Sequence, residues 1–163
     1  MRISSTLLFA AAVVAKTISV TGSAPGFAHG VTGGGDATPI YPTNTSHLIE
    51  LLGSDEPQVI ILNRTYDFIG TEGTTQGTIC KSWGSFKDGC QAIIDTGPGC
   101  GNAKSESYEW DTAGVTGIHV HSNKTVIGVE NKGILLGKGL RMVDVSNIIV
   151  QIIMITNLNP KIV

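Results

Sequence analysis

The sequence predicts an all-β fold, a parallel β-helix that follows an irregular arm and one short helix. Short β-branched segments fill residues 117–163, and the pair Ser122-Asn123 recurs 24 residues later as Ser146-Asn147. A period in the low twenties with three short strands is what one coil of a parallel β-helix requires. The composition agrees, because 41% hydrophobic and 15% charged residues exclude a disordered chain, and the 21 Gly without a Gly-Xaa-Yaa period exclude collagen.

Residues 1–17 have the layout of a secretory signal peptide. Arg2 precedes the apolar stretch Leu7–Ala15, and the small residues Val13 and Ala15 fit the cleavage pattern. Roughly nine apolar residues are too few to span a bilayer, and no later apolar run is long enough. We therefore expect a secreted, extracellular protein without a membrane partner, whose domain occupies residues 18–163.

The N-terminal part of that domain reads as an arm followed by a helix. Residues 21–42 are rich in Gly, Thr and Pro, which predicts irregular structure. The helix has candidate caps in Asn44, Thr45 or Ser46, its face is formed by Leu48, Leu51 and Leu52, and Gly53 ends it.

The middle of the chain contains one apolar strand and one long polar excursion. The β-branched run Val59–Leu62 predicts a strand buried on both faces. Residues 70–113 show little periodicity, so we expect an irregular insert stapled by cysteines. Secretion favours disulfides over metal binding for Cys80, Cys90 and Cys100, and no CxxC or Cys/His spacing is present. The odd count leaves one cysteine free, paired between chains, or paired with a residue outside this sequence.

The last segment contains successive apolar runs separated by a few residues of Gly, Asn, Ser or Lys: 118–121, 124–129, 133–136, 140–145 and 147–155. Stacked coils would let Asn123 and Asn147 form an amide ladder inside a turn. Asn123 would then be buried, which leaves Asn44 and Asn63 as the candidate glycosylation sites. A β-sandwich is the alternative fold, but its strands would show more polar alternation than these runs.

Several stretches together resemble one family. They are Gly26-Phe27-Ala28-His29-Gly30-Val31-Thr32-Gly33-Gly34-Gly35, Glu72-Gly73-Thr74-Thr75-Gln76-Gly77-Thr78, Cys80-Lys81-Ser82-Trp83-Gly84, Cys90-Gln91-Ala92-Ile93-Ile94-Asp95, Ser122-Asn123-Lys124-Thr125-Val126-Ile127-Gly128 and Gly137-Lys138-Gly139-Leu140-Arg141. This set is similar to the secreted pectin lyases, polysaccharide lyases with a right-handed parallel β-helix. The resemblance implies β-elimination on the methyl-esterified polygalacturonan of plant cell wall pectin. It also implies that the complete protein is a monomer and that it uses no cofactor or metal.

The resemblance also implies roles for single residues. Trp83 matches a cleft-side tryptophan that binds the polymer, although it could equally anchor its loop. Cys80 would pair with Cys100, and the partner of Cys90 would lie beyond Val163. The family continues there with Trp-Gly-Gly-Asp, so its catalytic residues are expected outside this sequence, and the chain as given is expected to be an inactive fragment. Ile152 stands where the family commonly has Asn, which would interrupt an internal ladder.

Other chemistry is poorly supported by the residues present. Elimination needs a base and cationic groups, but Arg64 and Arg141 match no catalytic position of the family. His119 and His121 share a strand face, yet a third zinc ligand is not evident. The acids show no glycosidase pairing and no calcium cluster: Asp55, Glu56, Asp88, Asp95, Glu106, Glu109 and Asp111. A net charge of -2 with scattered Lys and Arg argues against nucleic acid. The alternative function is a truncated, non-catalytic pectin-binding or decoy protein.

Overall fold

The computed structural model describes residues 18–159 and 161–162, so the predicted signal peptide lies outside the described residues. One α-helix, α1, spans Thr45–Gly53, and short 3-10 turns occur at Gly26–Ala28, Phe86–Asp88 and Thr112–Gly114. The strands are β1 Pro39–Ile40, β2 Gln58–Leu62, β3 Thr65–Asp67, β4 Thr74–Lys81, β5 Ile93–Ile94, β6 Lys104–Asp111, β7 Ile118–His119, β8 Lys124–Gly128, β9 Ile134–Leu136, β10 Leu140–Arg141, β11 Ile148–Gln151 and β12 Met154–Thr156. None of the helices within these ranges is long and apolar enough to cross a membrane.

The helix confirms the features predicted from its sequence. Asn44 is the N-cap, and its side-chain oxygen accepts a hydrogen bond from the backbone N–H of His47 at 2.8 Å. Such a cap satisfies one of the backbone donors that the first helical turn leaves free. The three leucines of the predicted face are buried, and the helix ends at Gly53.

Three parallel sheets are visited in turn by the C-terminal strands. Their orders are β1-β2-β8-β11, β3-β9-β12 and β7-β10. Strands β7, β8 and β9 lie in three different sheets, and β10, β11 and β12 join the same sheets in the same order. The chain therefore advances by one rung in 20 to 24 residues, as in the pairs Leu140 with Ile118 (140 − 118 = 22), Ile148 with Lys124 (148 − 124 = 24) and Met154 with Ile134 (154 − 134 = 20). This topology is consistent with the predicted parallel β-helix, whereas the sheets of a β-sandwich are antiparallel.

Aliphatic side chains stack in rows across these sheets. Ile60, Val126 and Val150 are register partners on successive strands, and Ile60 and Val126 are buried in the main core. The neighbouring row, Ile61 and Ile127, is buried on the other face of the sheet. The predicted strand β2 is thus buried on both faces. Each fully buried side chain of this kind contributes about 1.5–3 kcal/mol through the hydrophobic effect.

The N-terminal arm covers part of that second face. Ile18 and Ala37 pack against the cluster that contains Ile61 and Ile127. Gly34 lies so close to β2 that a Cβ added to it would stand 2.1 Å from the carbonyl oxygen of Gln58. Glycine is therefore required where the arm crosses the sheet, and the arm is mostly irregular as predicted.

The expectation of an irregular insert over residues 70–113 is wrong. This region forms an antiparallel sheet of order β5-β4-β6, in which β4 and β6 pair along their whole length from Thr74 with Asp111 to Lys81 with Lys104. A second, smaller core contains Ile79, Ala92, Trp110 and Ile162. The exposed face of these strands carries Thr, Ser, Gln and Glu, so their alternation is not evident from hydrophobicity.

The predicted run 147–155 is also divided into two strands. β11 ends at Gln151 and β12 begins at Met154, because Ile152 has a left-handed backbone conformation with φ 57°. The carbonyl oxygen of Ile152 lies 1.8 Å from the position that a Cβ on Gly128 would take. The chain turns at this point towards the next sheet.

Candidate functional site

Trp83 lies in the loop that follows β4, and 59% of its surface is exposed. Its backbone carbonyl accepts a hydrogen bond from the thiol of Cys90 at 3.1 Å. The following turn is capped by Ser85, whose hydroxyl accepts from the backbone N–H of Lys87 at 3.1 Å. The loop backbone is thus fixed by local bonds, whereas the indole itself is largely in solvent. This exposure fits a ligand-stacking ring better than a buried loop anchor.

Aromatic and cationic groups brace the base of this loop. The rings of Phe86 and Tyr108 meet edge to face with their centroids 5.4 Å apart. The ammonium groups of Lys81 and Lys161 lie 5.0 Å and 5.9 Å from the centroid of the Phe86 ring, which places them within the range of cation–π attraction. Lys81 also forms an ion pair with Glu106 of β6.

Two of the three cysteines are joined in the structure. Cys80 and Cys100 form a disulfide, the same pair that the resemblance names, and Cys90 is a free, half-buried thiol. Asp95 lies within 4.8 Å of both disulfide sulfurs, but disulfide sulfurs do not act as thiolate ligands, so these groups form no thiolate metal site. Instead, Asp95 accepts hydrogen bonds from the backbone N–H groups of Gly97 and Gly99 at 3.0 and 3.1 Å.

The predicted asparagine ladder is confirmed. The side-chain amide of Asn147 donates to the side-chain oxygen of Asn123 at 2.8 Å, and both residues have positive φ, 58° and 61°. The oxygen of Asn147 also accepts from the backbone N–H groups of Thr32 and Gly33, each at 2.8 Å. The ladder therefore fastens the arm to the strands. Asn123 is half-buried rather than buried.

The two candidate glycosylation residues differ in their surroundings. Asn44 is exposed, and its cap bond uses only the side-chain oxygen. Asn63 is half-buried, and its oxygen accepts from the guanidinium of Arg64 at 3.4 Å. In both residues the bonded atom is the oxygen, while a glycan would be attached to the nitrogen.

Two buried lysines have structural roles that the sequence did not suggest. Lys124 is fully buried, and its ammonium donates to the carbonyls of Ser54, Glu56 and Ser122 at 2.7, 2.6 and 3.3 Å. Burial lowers the pKa of Lys124, against the opposing influence of the Asp55 and Glu56 carboxylates. Lys138 donates to Glu72 at 2.7 Å. The sequence signal for Lys124 is weak, since it is a lysine that simply begins an apolar strand.

The remaining candidate groups are not brought together into a catalytic arrangement. The guanidinium of Arg64 donates to the carbonyl of Thr43 at 3.0 Å, a structural role. His121 pairs with Asp55 at 2.8 Å, whereas His119 lies exposed beside Arg141 in the register of β7 and β10. The carboxylate of Asp111 accepts from the backbone N–H groups of Gly70 and Ala113 at 2.7 and 3.0 Å.

Taken together, these elements define a protein of parallel strands that pass in turn through three sheets, with a disulfide-braced loop that presents a tryptophan. No family model matches the chain. Curated pectin lyases do match it: a probable pectin lyase A of Aspergillus flavus is 51% identical over 99% of this chain and 43% of the relative. The pectin lyase B of Emericella nidulans is 50% identical over 94% of this chain and 42% of the relative. The pectin lyase A of Aspergillus niger is 50% identical over 96% of this chain and 44% of the relative.

The resemblance to pectin lyases is therefore confirmed along almost the whole chain. The chain spans about two fifths of the length of the curated relatives it matches, from 42% to 44%. This coverage is consistent with the N-terminal part of such a protein.

Proposed function

We propose that this chain is the N-terminal part of a right-handed parallel β-helix protein that cleaves methyl-esterified polygalacturonan by β-elimination. The observation that carries the proposal is the sequence identity with pectin lyases, which is 50% to 51% over 94% to 99% of this chain. The three parallel sheets and the asparagine ladder support it, because both belong to the coil that the resemblance implies.

The chain as given is proposed to be inactive by itself. β-Elimination needs a base over the acidic carbon and cationic groups that stabilise the developing enolate. Arg64 is bound to a backbone carbonyl, and the described carboxylates include several with structural partners. The catalytic groups are proposed to lie in the part of the relatives that this chain does not cover. No metal or cofactor is invoked for this chemistry.

The test is a lyase assay on highly methylated pectin. Elimination creates an unsaturated uronate product that absorbs ultraviolet light, so the absorbance of the reaction reports directly on the bond cleaved. We expect no absorbance increase with these 163 residues. We expect a steady increase with a longer protein in which this chain is followed by a sequence homologous to the remaining part of the relatives. Activity of the 163-residue chain would contradict the placement of the catalytic groups.

Trp83 is proposed to bind the neutral polymer by stacking on a sugar ring. Its exposed indole supports this role, since aromatic stacking adds about 0.5–1.5 kcal/mol beyond area burial, or roughly two- to tenfold in affinity. Trp83→Ala should weaken binding of methylated oligogalacturonate by that factor, and Trp83→Phe should retain most of it. Fluorescence titration measures both. Equal affinity of the Ala variant and the unchanged chain would assign Trp83 to the loop alone.

A non-catalytic pectin-binding role is the second candidate, and the exposed Trp83 is the observation that favours it. It requires that the chain fold independently. A monomeric elution by size-exclusion chromatography, a cooperative melt and oligomer binding without elimination would together support this candidate. An aggregated or molten chain would exclude it.

Secretion and processing form part of the same proposal. Residues 1–17 are proposed to be a cleaved signal peptide, and Asn44 and Asn63 to be the glycosylated positions, because the nitrogen of each side chain makes no cap or guanidinium bond. Intact mass and N-terminal sequencing of protein from culture medium test both points. An uncleaved N-terminus would contradict the first, and unmodified peptides at both asparagines the second.

A further inference from the structure

A polar groove lies beside the sheet formed by β7 and β10, and none of its lining residues belongs to the Trp83 loop. The groove has a volume of about 360 Å³, and its lining includes His119, His121, Arg141, Val143, Asp144 and Asp55. We call it the Arg141 groove. His119 and Arg141 are register partners in adjacent parallel strands, so the imidazole and the guanidinium start from backbone positions about 4.8 Å apart.

The guanidinium of Arg141 supplies the positive charge of this groove. In the portion of the chain that is described, the side chains of Arg141 and His119 are exposed and make neither an ion pair nor a hydrogen bond, whereas His121 is held by Asp55 at 2.8 Å. A guanidinium carries five donors in a planar fork that matches a carboxylate with two parallel hydrogen bonds. The groove therefore presents to an anion guanidinium donors that no described residue binds.

The other groups of the groove limit which anion fits. Asp144, which is exposed, and Asp55 both line the groove, so a highly charged phosphate would meet two carboxylates. A sugar acid presents a single carboxylate together with hydroxyl groups, which Asp144 can accept as hydrogen bonds. Val143, 53% exposed, supplies an apolar surface for the C–H face of a ring.

We propose that the Arg141 groove binds the free carboxylate of a uronate residue, and thus the unesterified stretches of an acidic polysaccharide. The choice of a uronate among carboxylates rests on the proposed function. The site is separate from Trp83, which is proposed to meet the neutral, esterified polymer. The two sites would let the protein hold mixed pectin chains through both kinds of sugar residue.

Calorimetric titration with trigalacturonate tests the proposal, with its trimethyl ester and inorganic phosphate as comparison ligands. We expect binding of trigalacturonate, little binding of the ester, and no competition from phosphate. Arg141→Gln should weaken binding about tenfold or more, because it removes charged hydrogen bonds, and Arg141→Lys should weaken it less while keeping the charge. Lys104→Gln removes one exposed positive charge on β6, outside the groove, and should leave the affinity unchanged.

Each contrary result overturns the site. If the trimethyl ester binds as tightly as trigalacturonate, the groove does not recognise the free carboxylate. Competition by phosphate would indicate a general anion site. An unchanged affinity of the Arg141→Gln variant would place the ligand elsewhere. Absence of trigalacturonate binding would also refute it. Trp83→Ala should not alter trigalacturonate affinity, so a failure of this proposal is distinct from a failure of the Trp83 role, which is measured with methylated oligomers.

Discussion

Replacing Asn147 should cause a large loss of stability that divides into two separable parts. Its amide makes the bonds that hold the arm: Thr32 and Gly33 donate to its oxygen at 2.8 Å, and its nitrogen donates to Gly33 and Asn123 at 3.1 and 2.8 Å. Gly33 is buried, so its N–H would be left without a partner in Asn147→Gly, at a cost of about 1–3 kcal/mol. Thr32 is exposed and can turn to water, which limits its share to about 0.5–1.5 kcal/mol.

The two contributions give an expected loss of about 1.5–4.5 kcal/mol for Asn147→Gly. Asn147→Ala should lose about 1–2 kcal/mol more, because the backbone at φ 58° is left-handed. In that conformation the Cβ of alanine comes too close to a backbone carbonyl oxygen, whereas glycine has no Cβ. Urea unfolding followed by circular dichroism measures both free energies. An Asn147→Gly variant as stable as the unchanged chain would refute the role of the amide, and equal stability of the two variants would refute the role of the backbone conformation.

Two further predictions concern buried aromatic residues. Burial raises the pKa of Tyr66 above its ordinary value of 10.0, and the charge of Arg64 acts in the opposite direction. As pH rises, the unfolded chain therefore loses the phenolic proton before the folded chain does. The free energy of unfolding should then fall as pH rises above about 10. Tyr66→Phe should remove that fall and should lose about 1 kcal/mol at neutral pH, because it lacks the 2.9 Å hydrogen bond to the Pro42 carbonyl. Replacing the exposed Tyr41 by Phe should keep the fall. Urea unfolding at pH 8 and pH 10.5 measures the change in free energy, and an unchanged fall in Tyr66→Phe would contradict the assignment to Tyr66. Gly77→Ala would place a Cβ 2.6 Å from the Trp110 ring and should cost about 1–3 kcal/mol with a shift in tryptophan emission. Gly53→Ala, at the end of α1 with open space around it, should neither destabilise the chain nor shift the emission. An unshifted emission in Gly77→Ala would show that the ring does not pack there.

Local patterns predicted the elements that depend on neighbouring residues. The leucine spacing after Asn44 specified α1, and the β-branched runs after residue 117 located β7 to β10 and, as one undivided run, β11 with β12. The recurrence of Ser-Asn also predicted a contact between residues 24 apart, because equivalent positions of successive coils stack. These predictions succeed since each rests on a repeated local feature.

The structure departs from the prediction where long-range pairing decides the outcome. The strands β4 and β6 are mostly polar, and only their pairing with each other turns them into a sheet, which single-segment periodicity does not reveal. Lys124 also depends on long-range contacts, since two of the carbonyls that accept hydrogen bonds from its ammonium belong to residues 54 and 56, which are distant in sequence. The free donors of Arg141 are likewise visible only when the surrounding acids have been located.

The arm's attachment to the strands has a consequence for the order of events during synthesis. Thr32 and Gly33 leave the ribosome early, yet their partner Asn147 is made 115 and 114 residues later, and Thr21 bonds to Gln151 across 130 residues. Contacts of such separation close long loops, which costs conformational entropy and slows folding. The contacts of the arm with Asn147 and Gln151 therefore form only after β11 has been made, and until then the part of β2 and β8 that the arm covers stays open to other chains or to a chaperone.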